Sequence, residues 1–316
     1  MIRVNQTTIE VGHFPDGSQL INIKSIIDNF GARGFADFEW YYENDEEYMT
    51  LLYILKQVRQ GMRANAIYRL FLPYVPNARM DRVKNPGEVF TLKWFVEAIN
   101  SMNFDIVYVF DNHSDVSSAL INNIIIASPK KILEYLFREE YDNGIDGEFD
   151  GDNDPNHPTI FFPDAGAMKR YSSLFPHNKV IYGDKVREWE TGKILGLTIK
   201  AADGTPLEKI NGDNILLVDD IIAYGGTMFH SATKLKELGA GELRIYCSHL
   251  ENSFTDAEKG TLRKLLEDGT VSKLYTTNSI WRSEFLNVKV MKLNPFNLMG
   301  SIPAQFEKEK SQDMPE

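Results

Sequence analysis

Residues 215–227 read ILLVDDIIAYGGT, passing from four aliphatic residues to two carboxylates and then to a loop with two glycines. Ile215–Val218 is continuously apolar, as expected of a strand in a parallel sheet that helices cover on both faces. The stretch Met228–Leu238 has the pattern of an amphipathic helix and is followed by a glycine, which is common at helix ends. The pattern predicts a strand, a loop and a helix. Asp219 and Asp220 then lie at the carboxyl end of the strand, where open α/β sheets bind ligands.

The loop has the chemical groups that a ribose phosphate requires. The adjacent carboxylates of Asp219 and Asp220 can accept hydrogen bonds from neighbouring sugar hydroxyls. Gly225 and Gly226 allow the backbone to approach an anion at the start of the helix, and Thr227 adds a hydroxyl. The alternative is a strand, turn and helix in which the two aspartates only cap the turn.

Composition limits the possible classes of protein. The chain has 316 residues and a formal net charge of −11, which disfavours general binding to nucleic acid. It has no apolar run long enough to cross a bilayer and no signal-peptide pattern at residues 1–12, so we expect a cytoplasmic protein that does not bind membranes. Its single cysteine, Cys247, lies in a strand-like run and is expected to be a buried residue without a catalytic role.

Short apolar runs alternate with amphipathic stretches along the chain, which predicts an α/β fold with two mostly parallel sheets flanked by helices. The candidate strands are Gln19–Ile23, Ile67–Val75, Asp105–Phe110, Thr159–Phe162, Val180–Tyr182, Ile215–Val218, Leu243–Ser248, Lys273–Thr277 and Val288–Leu293. The clearest helical stretches are Met49–Gly61, Thr91–Met102 and Met228–Leu238.

Two polar segments, residues 139–158 and the charged tail at residues 301–316, mark the expected domain boundaries. Residues 139–158 are rich in Asp, Glu, Asn and Gly and are expected to form an exposed loop. We therefore expect one domain over residues 1–145, a second over 146–300, and a charged tail over 301–316.

Several motifs resemble those of ribose-phosphate pyrophosphokinases, whose two domains share the phosphoribosyltransferase fold. Residues 215–227 resemble the ribose-phosphate loop of that superfamily. The other motifs occur in family order and are FPDGS (14–18), PYVPNARMDR (73–82), FDNHSD (110–115), PDAGAMKR (163–170), SH (248–249) and TNSI (277–280). A second interpretation is that the chain is a phosphoribosyltransferase that consumes the activated sugar. Phosphoribosyltransferases lack the N-terminal motifs, so this interpretation leaves those motifs unexplained.

The resemblance implies a reaction and a set of site residues. Enzymes of the family move a diphosphate from ATP to the C1 hydroxyl of ribose 5-phosphate and use Mg²⁺. Carried over motif by motif, the ATP-binding candidates are Phe14, Asp16, Arg79, Asp81 and His113. The metal candidates are His113, Asp111 and Asp164. The catalytic candidates are Lys185, Arg187 and His113. The ribose and phosphate candidates are Asp164, Asp219, Asp220, Tyr224, Gly225, Gly226 and Thr227.

Lys185 and Arg187 correspond to a Lys-x-Arg pair that the family carries on a mobile catalytic loop. Two cations at i and i+2 of an extended segment point the same way and could both contact the β- and γ-phosphates. The alternative is a solvated basic pair. In the family, the loop equivalent to residues 14–18 enters the ATP site of a neighbouring subunit, which implies a homo-oligomer.

The sequence departs from the family pattern at the phosphate loop. Where the family has Asp-Thr-Gly-Gly-Thr, this chain has Ala223 and Tyr224 before the glycines. A tyrosine occupies space and offers a stacking face in place of a hydroxyl for a terminal phosphate. We therefore favour an acceptor in which the 5-phosphate continues as a pyrophosphate with an aromatic base, of which ADP-ribose is the obvious example. Ribose 5-phosphate remains an alternative.

Two further departures lie in the nucleotide motifs, where Ser18 and Met80 replace a Glu and a Gln that would contact adenine. Some relatives have lost catalytic groups and act only as regulatory subunits. Retention of the charged candidates at 111, 113, 164, 185, 187, 219 and 220 argues against that third interpretation.

Overall fold

The computed structural model describes residues 1–27, 34–62, 66–141, 157–187, 194–295 and 298. These residues form two compact units. The first contains the described residues of Met1–Ser128 and those from Leu293 onward, and the second contains the described residues of Pro129–Lys292.

The first unit is built on a mixed sheet. Its strands are β1 (Ile2–Val4), β2 (Thr7–Thr8), β3 (Val11–His13), β4 (Gln19–Ile21), β5 (Phe35–Trp40), β6 (Ile67–Leu72), β7 (Ile106–Phe110) and β8 (Ile124–Ala127). Its helices are α1 (Lys24–Ile27), α2 (Glu46–Gly61), α3 (Thr91–Ser101) and α4 (Asp115–Leu120). The sheet order is β2-β1-β5-β6-β7-β8, in which β5 to β8 are parallel, while β3 and β4 form a separate antiparallel ribbon.

The second unit is a larger sheet of the same class. Its strands are β9 (Thr159–Phe162), β10 (Val180–Arg187), β11 (Ile194–Ala201), β12 (Ile215–Ile222), β13 (Leu243–Leu250), β14 (Lys273–Thr277) and β15 (Val288–Met291). Its helices are α5 (Lys130–Glu140), α6 (Ala165–Tyr171), α7 (Gly226–Glu237) and α8 (Leu262–Glu267). The order is β11-β10-β9-β12-β13-β14-β15, and only β11 runs antiparallel to its neighbour.

Helices cover both faces of the second sheet. On one face, side chains of α7 and α8 pack with Leu217 and Cys247. On the other, side chains of α5 and α6 pack with Leu216 and Val218. Because successive strand residues point to opposite faces, both faces of β12 must be apolar, which explains its unbroken aliphatic run.

The predicted α/β class with two mostly parallel sheets is confirmed. β12 extends to Ile222, beyond the expected end at Val218, so Asp219 and Asp220 lie within the strand. Cys247 is buried, as expected. No described helix combines the length and the apolar character that a membrane span requires.

The division into units differs from the boundary expected at residue 145. Helix α5 belongs to the second unit because Leu133 and Phe137 pack in one apolar cluster with Ile160 and Phe162 of β9. Most of the expected acidic loop, residues 142–156, and the whole tail, residues 301–316, lie outside the described residues.

Candidate functional site

Strand β9, an interior strand of the second unit's sheet, ends before both of its neighbours. Its last residue, Phe162, pairs with Tyr182 of β10, and Phe161 pairs with Leu217 of β12. Strand β10 nevertheless continues to residue 187 and β12 to residue 222. The extensions at 183–187 and 219–222 therefore flank a notch at the carboxyl edge of the sheet.

Charged side chains gather at this notch. Asp164, just after β9, is the N-cap of α6: its Oδ1 accepts a hydrogen bond from the backbone N–H of Ala167 at 2.9 Å. Its Oδ2 lies 3.9 Å from Nζ of Lys185 on β10. The Lys185 side chain is only 7% exposed, whereas that of Asp164 is 56% exposed. The lysine is therefore held in place, and the carboxylate faces solvent.

Asp219 completes this group from the other side of the notch. Burial, and then the neighbouring charge of Asp220, raise the pKa of the Asp219 carboxyl well above its ordinary value. The charge of Asp164 acts in the same direction, and that of Lys185 opposes it. Three of the predicted site residues are thus electrostatically coupled in this unit.

The structure separates the roles of the two adjacent aspartates. In β12, Asp219 alternates with Val218 and Asp220, so the two carboxylates emerge on opposite faces of the sheet. Asp220 is almost fully buried and forms an ion pair with Arg170 of α6. Asp219 Oδ1 accepts a hydrogen bond from the backbone N–H of Asp220 at 3.0 Å.

The phosphate loop has a geometry that glycine alone satisfies at one position. Gly225 has φ of +80° and is the N-cap of α7, which begins at Gly226. A Cβ on Gly225 would lie 2.3 Å from the Cβ of Leu262, whereas one on Gly226 would meet its nearest neighbour, a Thr261 Oγ, at 3.9 Å. The loop thus packs tightly against the start of α8. The first backbone N–H groups of α7, which include that of Thr227, have no acceptor within the helix and can bind an anion.

Tyr224 lies at the exposed rim of this loop. Its side chain is 41% exposed, so the tyrosine does not point into the core. Its carbonyl oxygen accepts a hydrogen bond from the backbone N–H of Thr261 at 3.0 Å, and the ammonium of Lys259 lies 5.7 Å from the ring centroid.

Four candidates of the first unit lie on two loops that follow adjacent parallel strands: Arg79 and Asp81 after β6, and Asp111 and His113 after β7. Asp111 is buried and has φ of +42°, a left-handed conformation that starts a tight turn. The Ser114 hydroxyl contacts Oδ2 of Asp81 at 3.2 Å and so links the two loops. His113 is half-buried between Asp111 and Ser114, and Arg79 is exposed.

Phe14 and Asp16 lie at the tip of the β3–β4 ribbon. Phe14 is 50% exposed, a position that leaves its ring available for stacking. The Asp16 carboxylate accepts hydrogen bonds from the backbone N–H and the hydroxyl of Ser18, at 2.9 and 2.6 Å, and these bonds lower the pKa of Asp16. The serine that replaces the family's glutamate therefore stabilises the turn.

The donor groups fit a magnesium ion held largely by water and substrate. Mg²⁺ usually takes one or two protein carboxylates and completes its shell with water and phosphate oxygens. Within the described ranges, no three His, Cys, Asp or Glu side chains form a group that could enclose a metal. Asp164 uses Oδ1 as a helix cap and presents Oδ2 on an exposed side chain. Asp111 and His113 supply one carboxylate and one imidazole in the first unit.

The expectation that Lys185 lies on a loop is revised, and the expectation for the side chain of Arg187 stays untested. Lys185 lies in strand β10, paired with Leu197 of β11, and not on a loop. The backbone of Arg187 pairs with Ile194 after a bulge, but the Arg187 side chain lies outside the described part of the structure.

Sequence reasoning missed three residues that contact the site. Arg170 was within a quoted motif, and its position six residues after the helix cap could have placed it near β12. Lys259 and Thr261 lie more than thirty residues after the phosphate loop, and no spacing pattern connects them with it.

Comparisons with known proteins agree with this fold. The phosphoribosyl transferase domain family matches residues 173–273, which include β12 and the phosphate loop. A ribose-phosphate pyrophosphokinase of Sulfurisphaera tokodaii is 27% identical over 286 residues, covering 89% of this chain and 87% of the relative. One of Thermococcus kodakarensis is 24% identical over 243 residues, covering 76% and 77%.

A solved structure supports the same architecture. The phosphoribosylpyrophosphate synthetase of Mycobacterium smegmatis superposes with a TM-score of 0.65 at 17% identity, covering 96% of this chain and 91% of that one. The second unit thus has a phosphoribosyltransferase-like fold. The two curated relatives span most of both units, so the chain is similar to ribose-phosphate pyrophosphokinases along most of its length.

The two glycines of the loop provide a matched pair of variants. We expect Gly225→Ala to lower the free energy of unfolding by about 2–4 kcal/mol, because it adds a left-handed strain and a clash with Leu262. Gly226→Ala should change stability by less than about 0.5 kcal/mol, since a Cβ is tolerated there. Urea unfolding of both variants tests this difference. Equal stability of the two variants would show that the loop does not depend on its contact with Leu262.

Asp219 offers a test by pH. A carboxyl with a raised pKa binds its proton more tightly in the folded state, so stability decreases as pH rises from its ordinary value of 3.8 through the raised one. In the presence of EDTA and without ligand, we expect Asp219→Asn to be more stable than wild type at pH 7, with a smaller difference at pH 4. Thermal melts across this range give the comparison. Lower stability of the variant at pH 7 would mean that Lys185 fully compensates the carboxylate.

Proposed function

We propose that the chain transfers the β,γ-diphosphate of MgATP to the C1 hydroxyl of a 5-phosphorylated ribose and releases AMP. The observation that supports this most directly is the meeting of Asp164, Lys185 and Asp219 at the end of the strand that carries the phosphate loop. The names of the curated relatives point to the same reaction.

In this proposal, the phosphate loop and β12 bind the acceptor. The backbone N–H groups at the start of α7 and the hydroxyl of Thr227 bind the 5-phosphate. Asp219 accepts hydrogen bonds from the ribose hydroxyls. Arg170 neutralises Asp220 and so keeps the end of β12 in position. This assigns the two aspartates different roles, binding for Asp219 and positioning for Asp220.

The reaction itself needs alignment and charge neutralisation more than covalent chemistry. The C1 oxygen forms a bond to the β-phosphorus, the bond from that phosphorus to the α,β-bridging oxygen breaks, AMP leaves and the hydroxyl proton is released. Lys185 is placed to stabilise the negative charge on the transferred group, with Arg187 as a second cation. Magnesium, held by Asp164 or by Asp111 and His113, would neutralise phosphate charge when bound.

The groups of the first unit are assigned to ATP. Phe14 is proposed to stack on adenine, while Arg79, Asp81 and His113 contact the nucleotide or its metal. Within this unit, the hydrogen bond from the Ser114 hydroxyl to the Asp81 carboxylate holds together the loops that follow β6 and β7. As in the family resemblance, we propose a cytoplasmic homo-oligomer in which the ribbon around Phe14 serves a neighbouring subunit.

For the acceptor, we favour ADP-ribose, which would give ADP-ribose 1-diphosphate, an activated donor for NAD synthesis. The exposed ring of Tyr224 supports a group beyond the 5-phosphate. Ribose 5-phosphate is the second candidate, because the glycines and Thr227 alone suffice for a terminal phosphate. A non-catalytic regulatory role is the third candidate, and the buried, positioned Lys185 argues against it.

The role of Lys185 can be separated from simple binding. Lys185→Ala should lower kcat by about 10²–10³, because the cation stabilises charge that develops in the transition state. The KM for ATP should change by less than about threefold. Lys179→Ala, which removes an exposed lysine just before β10, serves as the control. Small and equal losses in kcat and in ATP binding would remove Lys185 from the mechanism.

The reaction is tested by incubating the protein with MgATP and either ribose 5-phosphate or ADP-ribose. We expect AMP and a diphosphate-bearing sugar, identified by phosphorus NMR and mass spectrometry, and a higher kcat/KM with ADP-ribose. AMP formation with ribose 5-phosphate alone would show the more usual acceptor. Absence of AMP with both would favour the regulatory role.

A further inference from the structure

Residues 254–262, here called the buttress loop, hold the phosphate loop from one side. The backbone N–H of Thr261 donates to the carbonyl oxygen of Tyr224 at 3.0 Å, and its hydroxyl lies 3.4 Å from the same oxygen. Leu262 packs so closely on Gly225 that no Cβ fits between them. The positions of the two loops are therefore linked.

The buttress loop is itself fixed by local hydrogen bonds. Oδ1 of Asp256 accepts from the backbone N–H groups of Glu258 and Lys259, at 2.9 and 2.8 Å. The N–H of Gly260 donates to the carbonyl oxygen of Asp256 at 2.9 Å, and a Cβ on Gly260 would lie 2.4 Å from the carbonyl oxygen of Phe254. The backbone of Lys259 is consequently held in one place before any ligand binds.

This arrangement brings a cation to the rim of the phosphate loop. The Lys259 ammonium lies 5.7 Å from the centroid of the Tyr224 ring, within the range of a cation–π contact. Among the described residues, Lys259 forms no ion pair within 4.0 Å, although its charge contributes to lowering the pKa of Asp256. In a chain with a net charge of −11, a cation without such an ion pair is well suited to bind an anionic ligand.

The position of Lys259 suits a second phosphate better than the first. The N–H groups of α7 and Thr227 already provide the donors for a phosphate at the helix start. Lys259 adds a cation beside the exposed ring of Tyr224, the residue that precedes the two glycines. An acceptor that continues beyond the 5-phosphate carries a second anionic group, for which a nearby ammonium is a suitable partner.

We propose that Lys259 determines acceptor specificity by binding the second phosphate of an acceptor whose 5-phosphate continues as a pyrophosphate. Tyr224 then packs against the group beyond the pyrophosphate. This inference rests on the proposed function, because it concerns the acceptor side of the same reaction. It makes the buttress loop part of the substrate site.

The test compares Lys259→Met, which removes the charge and keeps most of the apolar stem, with Lys264→Met on α8. Lys264 is an exposed lysine that follows the buttress loop closely in sequence, and it serves as the control. With MgATP, Lys259→Met should raise the KM for ADP-ribose about tenfold, the loss of one charge-assisted contact, while kcat stays within about twofold. The KM for ribose 5-phosphate should not change, and Lys264→Met should behave as wild type with both acceptors.

Other outcomes separate this inference from the proposed function. Equal effects of Lys259→Met on both acceptors, no effect on ADP-ribose, or turnover of ribose 5-phosphate alone by wild type would each overturn the role of Lys259 and leave the pyrophosphokinase reaction standing. Absence of AMP with both acceptors would overturn the proposed function. In that case, titration calorimetry with ADP-ribose tests whether Lys259 binds the acceptor. Weaker binding in Lys259→Met but not in Lys264→Met supports this role, and unchanged binding contradicts it.

Discussion

The early end of β9 is the constraint on which the site of the second unit depends. If this interior strand ended level with β10 and β12, backbone hydrogen bonds would fill the edge of the sheet. Because it stops at Phe162, the neighbouring strands extend past it and present Lys185 and Asp219 to one notch, with Asp164 at its base. The chain needs no special loop to bring a buried cation near two carboxylates, since strand length alone achieves it.

The charged side chains at the notch lower the stability of the folded chain, and contacts with the surrounding structure limit this loss. The Asp219 carboxyl, whose pKa is raised by burial, favours the neutral form in the isolated chain, whereas the ion pair with Arg170 stabilises the charge of Asp220. A ligand that offers hydroxyls and metal-bound phosphates would supply partners for Asp219. A buried carboxylate that lacks a partner destabilises the fold, which is common where function and stability conflict.

Sequence patterns predicted the parts of this structure that depend on local residue type. Continuous aliphatic runs predicted the buried parallel strands, and β12, α7 and the glycine loop follow from residues 215–239 alone. Strands such as β5 were missed because FADFEW mixes charged with aromatic residues, and its two acids are buried within the sheet. The contact of Lys259 with Tyr224 depends on a turn set by Asp256 and Gly260, and such long-range contacts leave no period in the sequence.

The division of the chain also has a consequence for synthesis on the ribosome. The second unit is contiguous in sequence, from Pro129 to Lys292, whereas the first also takes in Leu293, which is buried. Residues 1–128 emerge first but lack Leu293 until the entire second unit has been translated. The first unit therefore becomes complete only after the second has been synthesised, whereas the second unit requires no residue from later in the chain.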